Sequence, residues 1–583
     1  MDSAVFILST LLALLASSSL ASGEVVEHFL YVTNATVQTL CEKQVITTVN
    51  GTMPGPTLRV REGDSLVIHV FNQSPYGITL HWHGIFQLFS AWADGPEYTT
   101  QCPISPGNSY TYRFNVTKQE GTLWWHAHIL FLRTTVHGAL IILPRDHSYP
   151  FPKPYREVPI MFGEWWDSNV VDVMNEAVAK GDGPNDSIAF TMNGQPGDLY
   201  PCASNRTFKL KAIPGMTYLL RIINAALNTQ FFFKIARHKM TVVAIDASYT
   251  NPFETEFIAI TPGQTVDVLL TANQVPSSYY MVAHPYVSGK GARSTNRATT
   301  GILVYENANL SKAPVMPLLP KHNDTAAAHW FYSGPTSLVN APHWTPVPEK
   351  VDVKMFIATG LGIVPCERPG ACTGTLGQRL VASMNNESFK FPTKLSMLEA
   401  FYYNASGIYT ADFPEKPPKE YDFSNYKNVM NKDLLMTRQS TKLKKLKFNS
   451  TVEIVFQSTA LIVTENHPMH IHGFNFYVLG QGFGNYDPIN YPKTFNLVNP
   501  QIRNTIGVPV AGWLAVRFQA NNPGVWLMHC HMDTHLMWGQ SMAFLVENGP
   551  TRETSLPPPP PDLPKCMELG SIANSNSSTL LYS

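Results

Sequence analysis

The sequence predicts an all-β protein made of three similar sandwich- or barrel-type domains. Three observations lead to that reading. Short alternating or β-branched runs, such as Ser65-Leu66-Val67-Ile68-His69-Val70-Phe71, are separated by Pro, Gly and Asn turns. The 45 prolines interrupt long helices. Several segments also occur more than once along the chain.

The repeats set the domain order. Arg61 to Asn72 resembles Ile213 to Asn224, with Gly and Asn nine residues apart in each (Gly63 and Asn72, Gly215 and Asn224). Pro106-Gly107 to Tyr112 resembles Pro262-Gly263 to Val268, and Gly121-Thr122-Leu123-Trp124-Trp125-His126-Ala127-His128 resembles Gly524-Val525-Trp526-Leu527-Met528-His529-Cys530-His531. The expected domains are 24–150, 151–310 and 326–568, with a linker at 311–325 opening a Pro-rich stretch. Residues 1–23 read as a signal peptide. The Val5–Leu15 apolar run leads into small residues, lacks a basic flank, and is too short to anchor across ~30 Å of hydrocarbon. Five consecutive prolines after Leu556 predict extended chain, and 569–583 a frayed tail.

Composition narrows the function. Charged residues are 14% of the 583, against a usual ~25%, and the formal net charge is zero. Nucleic-acid binding, an acidic tail and a disordered chain are all disfavoured. Twelve Asn-X-Ser/Thr sequons, from Asn34 through Asn72 to Asn576, join the signal peptide in predicting a secreted glycoprotein. Seven cysteines cannot all pair.

Ten of the 19 histidines fall in four clusters: His81-Trp82-His83, His126-Ala127-His128, His467-Pro468-Met469-His470-Ile471-His472, and His529-Cys530-His531 with His535. Each holds one His-X-His. On a strand, residues i and i+2 share a face, so four pairs can aim eight imidazoles at one place. Eight imidazoles suit several ions of copper, zinc, iron or nickel. Zinc favours closed four-ligand sites and leaves the pairing unexplained. Cys530 points away from that cluster, toward a second site with the two remaining members, His467 and His535. One Cys with two His is the ligand set of a blue-copper electron-transfer centre. The His529–His531 segment therefore joins the two sites covalently. His69, His137, His238 and His284 read as ordinary core or surface residues.

With these clusters and their flanks (Trp92-Ala93-Asp94-Gly95-Pro96, Gln101-Cys102-Pro103-Ile104, Gly482-Phe483-Gly484-Asn485, Arg503-Asn504-Thr505-Ile506-Gly507-Val508-Pro509), the sequence resembles the multicopper oxidases, and most closely plant laccases. The resemblance implies three cupredoxin-like Greek-key domains and four copper ions. It places the type 1 copper on His467, Cys530 and His535, and the type 2 copper on His81 and His470. The type 3 pair falls to His83, His126 and His531 on one ion and His128, His472 and His529 on the other. It makes Asp94 and Asp533 acidic neighbours that relay protons or orient ligands, against a plain turn role for Asp94. It pairs Cys102 with Cys566 and Cys41 with Cys202. Cys366 and Cys372, close in sequence, are left for a small loop.

At the axial position stands Gln540, where plant laccases usually carry Leu. Its oxygen is expected to ligate copper and lower the potential. The implied activity is one-electron oxidation of phenols (monolignols, flavonoids or lignin-derived products) coupled to four-electron reduction of O2 to water. The protein is expected to be an apoplastic monomer with no membrane anchor and no nucleic-acid partner. The alternatives are an oxidase of ascorbate or of a metal ion, and a non-enzymatic wall protein.

Overall fold

The computed structural model describes residues 23–566, apart from 204, 290–296, 369 and 375. The signal-peptide and tail expectations lie outside the described residues, apart from Gly23. Three pairs of packed sheets follow one another along the chain, each pair enclosing its own apolar core. The longest described helix, Val170–Lys180, has 11 residues. Asn169 caps its start by accepting from the Val171 amide, and Gly181 ends it at φ 68°.

Two sheets carry the histidine clusters. The first runs Leu58–Arg61, His137–Leu143, Gly121–Ala127, Leu80–His83. The last runs Leu443–Leu446, Ser541–Val546, Gly524–Cys530, His467–Ile471, Thr505–Val508. In both, the strand opened by the repeated Gly pairs antiparallel with a His-X-His strand or its start.

The other repeat also has a physical basis. Gly63 and Gly215 sit at φ 82° and 83°, in the turns that launch strands Ser65–Asn72 and Thr217–Asn224. Each strand ends on a buried Asn whose amide clamps two carbonyls. Asn72 donates to Tyr76 and Ile104, and Asn224 to Thr229 and Ile260. The Asn72 sequon is therefore no glycan site in this fold. Its amide is 1% exposed and both of its hydrogens are used.

The connector departs from the expected boundaries. Val315 pairs with Tyr279, and helix Thr325–Ser333 buries Ala328, Phe331 and Tyr332 in the second core. Residues 326–333, expected with the third domain, thus pack with the second because their apolar face fits there. The three disulfides are Cys41–Cys202, Cys102–Cys566 and Cys366–Cys372, and Cys530 is free and buried. Two of them tie the first domain to the second and to the chain's end, which constrains the unfolded chain over long loops.

Candidate metal centres

Strand register builds the larger site. His81 lies opposite His126 across one sheet, and His470 opposite His529 across the other. Period-2 geometry adds His83, His128, His472 and His531 to the same space. The rings interleave between the first and third domains. His81 stacks on His472 at 4.0 Å between centroids, and His83 on His470 at 3.9 Å. Ligand nitrogens converge in the sets His81–His83–His126, His81–His470–His472 and His128–His472–His529. His531 Nε2 reaches 3.1 Å from His83 Nδ1. Gly263 gives His531 its room, since a side chain there would meet the ring at 2.8 Å.

The hydrogen bonds fix which nitrogen faces inward. A carbonyl only accepts, so an Nδ1 against one carries the proton and leaves Nε2 a lone pair. His81, His126, His470 and His529 each donate from Nδ1 to the carbonyls of Asp94, Ala127, Asn504 and Cys530, at 2.8, 2.9, 2.8 and 2.9 Å. The Nε2 atoms of His81, His126 and His470 are buried without a partner. His83 is reversed: its Nε2 meets Asn504 and Thr505, and Nδ1 faces the cluster. Converging neutral nitrogens with orphaned lone pairs are the donor set of copper or another imidazole-binding metal.

Burial, with mutual repulsion among the rings, favours the neutral form of seven of them. His83, His126, His128, His470, His472 and His531 lie well below the usual imidazole range, and His529 falls to about 3. Burial likewise lowers His467 to about 3. In the unfolded chain these groups protonate near 6.5, so below that pH the unfolded state binds more protons. Folded stability then falls as pH drops from 6.5 toward 3, by up to ~1.4 kcal/mol per pH unit for each group. The metal-free protein should therefore lose melting temperature steeply between pH 7 and 4, and copper, which binds only the folded ligand set, should raise it. Thermal unfolding of both forms across that range checks this. A flat metal-free profile would contradict it.

The second site lies on the other face of the last strand. Cys530 Sγ is 3.4 Å from His535 Nδ1, which is 3.3 Å from His467 Nδ1, and all three are buried. Gln540 is fully buried beside His467. Its Nε2 donates to Thr359 Oγ1 at 2.6 Å, and its side chain faces His467.

Sequence reasoning missed Glu465, whose carboxylate meets His535 Nε2 at 3.1 Å. Burial alone would lower His535, but Glu465 and Cys530 raise it to about 10. A Glu two residues before the clustered His467 was the available signal. The outer edge of His535 forms part of a cavity of about 510 Å³, with Phe190, Leu361 and Trp538 among its walls.

Of the two expected carboxylates, Asp94 contacts the cluster directly and Asp533 reaches it through Arg133. Asp94, fully buried, holds His472 Nδ1 with Oδ2 at 2.8 Å and His81 Nδ1 with its backbone carbonyl. Asp533 pairs with Arg133 at 2.7 Å. Burial raises Asp533 to about 6 against the opposing pull of Arg133. Arg133, unforeseen from sequence, also touches His531 Nδ1 at 3.0 Å and donates to the second-domain carbonyls of Ala226 and Leu227. One buried guanidinium thus joins all three domains at the cluster's edge.

Comparison with known proteins agrees with this geometry. Models of the multicopper oxidase family match residues 31–147, 156–308 and 412–550. Laccase-7 of Arabidopsis thaliana is 57% identical over 562 residues, covering 95% of this chain and 98% of that protein. Laccase-9 of the same plant is 54% identical, covering 98% and 97%. Among solved structures, the laccase from Botrytis aclada aligns with a TM-score of 0.71 at 26% identity, covering 92% of this chain and 89% of that one. Fet3p, a multicopper oxidase that functions in iron import, shares the fold with a TM-score of 0.71 at 22% identity, covering 90% of each chain. The chain belongs to the multicopper oxidase family and is a laccase of the plant type.

Proposed function

We propose that this laccase is secreted to the apoplast, acts as a monomer and takes small phenols, with monolignols, flavonoids and lignin-derived products as the class. We further propose the division 24–150, 151–310 and 326–568, with residues 326–333 packed against the second domain. Four coppers are assigned as the resemblance implied: His467, Cys530 and His535; His81 and His470; His83, His126 and His531; His128, His472 and His529. When bound, copper supplies one-electron redox chemistry at the first site and O2 reduction at the other three ions.

The chain's residues arrange the rest. The phenol ring enters the cavity beside the edge of His535, and Glu465 holds that imidazole in place. Cys530 lies between His529 and His531 at the end of strand Gly524–Cys530, so an electron entering beside His535 has a covalent route to both flanking imidazoles. Asp94 and Asp533 stand where protons for water formation can be held or passed on. That single segment, with a thiol on one face and two cluster imidazoles on the other, carries the reading.

O2 uptake against a panel of monolignols, flavonoids and ascorbate, with copper measured on the same sample, tests it. Uptake with a phenol is expected. A colourless, copper-free protein that consumes no O2 contradicts it, and preferential ascorbate turnover indicates the neighbouring activity instead.

Gln540 would hold the copper of the Cys530 site through Oε1. An oxygen donor stabilises the oxidised ion, so Gln540→Leu should raise the type 1 potential by tens of millivolts, about 59 mV for each ~1.4 kcal/mol. Redox titration with optical detection reads this. An unchanged potential and spectrum would remove Gln540 from the ligand set.

A further inference from the structure

The cavity over His535 is lined by several charged side chains. Glu465 is held by His535, and Glu164, also in the lining, accepts from the Asn228 amide, Thr229 and Ser187. Both carboxylates are committed to protein donors. Asp186 is solvent-exposed.

Arg297 is different. It lines the same cavity and is only partly exposed. It donates one hydrogen bond to the Ser187 carbonyl, and it has no ion-pair partner among the described residues. A partly desolvated guanidinium is a planar fork of donors suited to a carboxylate, and among the described residues this one has a single hydrogen-bond partner.

We propose that Arg297 makes phenolic carboxylates, of the 4-hydroxycinnamate or 4-hydroxybenzoate type, the preferred substrates of this laccase. This rests on the phenol-oxidising reading above and names its substrate class. A para-hydroxy acid matches a bipolar cavity, with its phenol end at the His535–Glu465 edge and its carboxylate on Arg297. The reaction is unchanged. Each phenol loses one electron to the enzyme and its hydroxyl proton to solvent, the carboxylate stays intact, and four such electrons with four protons reduce one O2 to two waters.

The test compares ferulate with coniferyl alcohol, which share a ring and differ in carboxylate against hydroxymethyl. A charged hydrogen bond contributes enough for roughly 10- to 100-fold in binding. In copper-loaded Arg297→Gln, the acid-to-alcohol ratio of kcat/KM should fall by about tenfold or more, through the KM of the acid. Arg297→Lys should keep part of the preference. Only the acid's kcat/KM should decline with added salt.

A measurement on the unaltered enzyme needs no variant. 4-Methoxycinnamate, which has no phenol to oxidise, should inhibit coniferyl alcohol oxidation at least about tenfold more strongly than 4-methoxycinnamyl alcohol. Equal inhibition, or a ratio indifferent to Arg297, overturns the assignment. An unaltered copper-loaded enzyme that oxidises neither phenol overturns the laccase reading itself.

Discussion

Cys530→Ser should abolish phenol-driven O2 consumption, lowering kcat by a factor on the order of 10³ or more, equivalent to at least about 4 kcal/mol. A serine hydroxyl is close to isosteric with the thiol but does not ionise to give the soft anionic ligand that the site needs. The blue copper–thiolate absorption should vanish with it. The eight cluster histidines are untouched, because Cys530 projects from the opposite face of Gly524–Cys530. Copper in the larger site should therefore survive, and the metal-free fold with it. Optical spectra, metal content and O2 uptake on one preparation separate these outcomes. A variant that keeps substantial turnover would mean that electrons reach the cluster by another route.

Asp94→Asn should be the second largest effect. Asp94 is fully buried and its side chain fixes His472, while its backbone fixes His81. The carboxylate makes the His472 imidazole a better ligand and holds its tautomer, and loss of such partners costs about 10- to 100-fold in metal affinity or activity. The amide keeps the shape and loses the charge, so copper affinity of the cluster or kcat should fall by about 10- to 100-fold while the Cys530 site keeps its blue colour. Full copper occupancy with unchanged kcat would show that Asp94 is only the end of the short turn Ala91–Ala93.

The contrast between these residues and Arg297 shows what a sequence carries. The cluster was legible because strand periodicity is 2 and each His-X-His pair declares its face without knowledge of the fold. Cys530 was legible by the same rule, being the odd position between two even ones. The Gly63–Asn72 and Gly215–Asn224 repeats were legible as patterns, and the structure supplies their cause in a left-handed turn and an amide clamp.

Arg133 gave no such signal. Its role depends on carbonyls 93 and 94 residues away and on Asp533 at the far end of the chain. Glu465 was two residues from a ligand, yet only the fold of the last domain brings it to His535 rather than to His467. The Asn72 sequon misled because a sequon is a local signal and burial is not. The third domain was expected to start at 326, directly after the 311–325 linker, whereas the Thr325–Ser333 helix packs into the second core, a long-range contact that composition does not encode.

In the proposed function, one chain holds an electron entry site and an O2-reducing site joined through Cys530. Anaerobic reductive titration of the copper-loaded protein with a phenol, counting electrons absorbed per chain, tests it most directly. Four coppers in electronic contact predict uptake of four electrons, with the blue absorption bleaching first and regaining full strength when O2 is admitted. Uptake of a single electron, with the cluster left oxidised, would contradict the connection between the two sites.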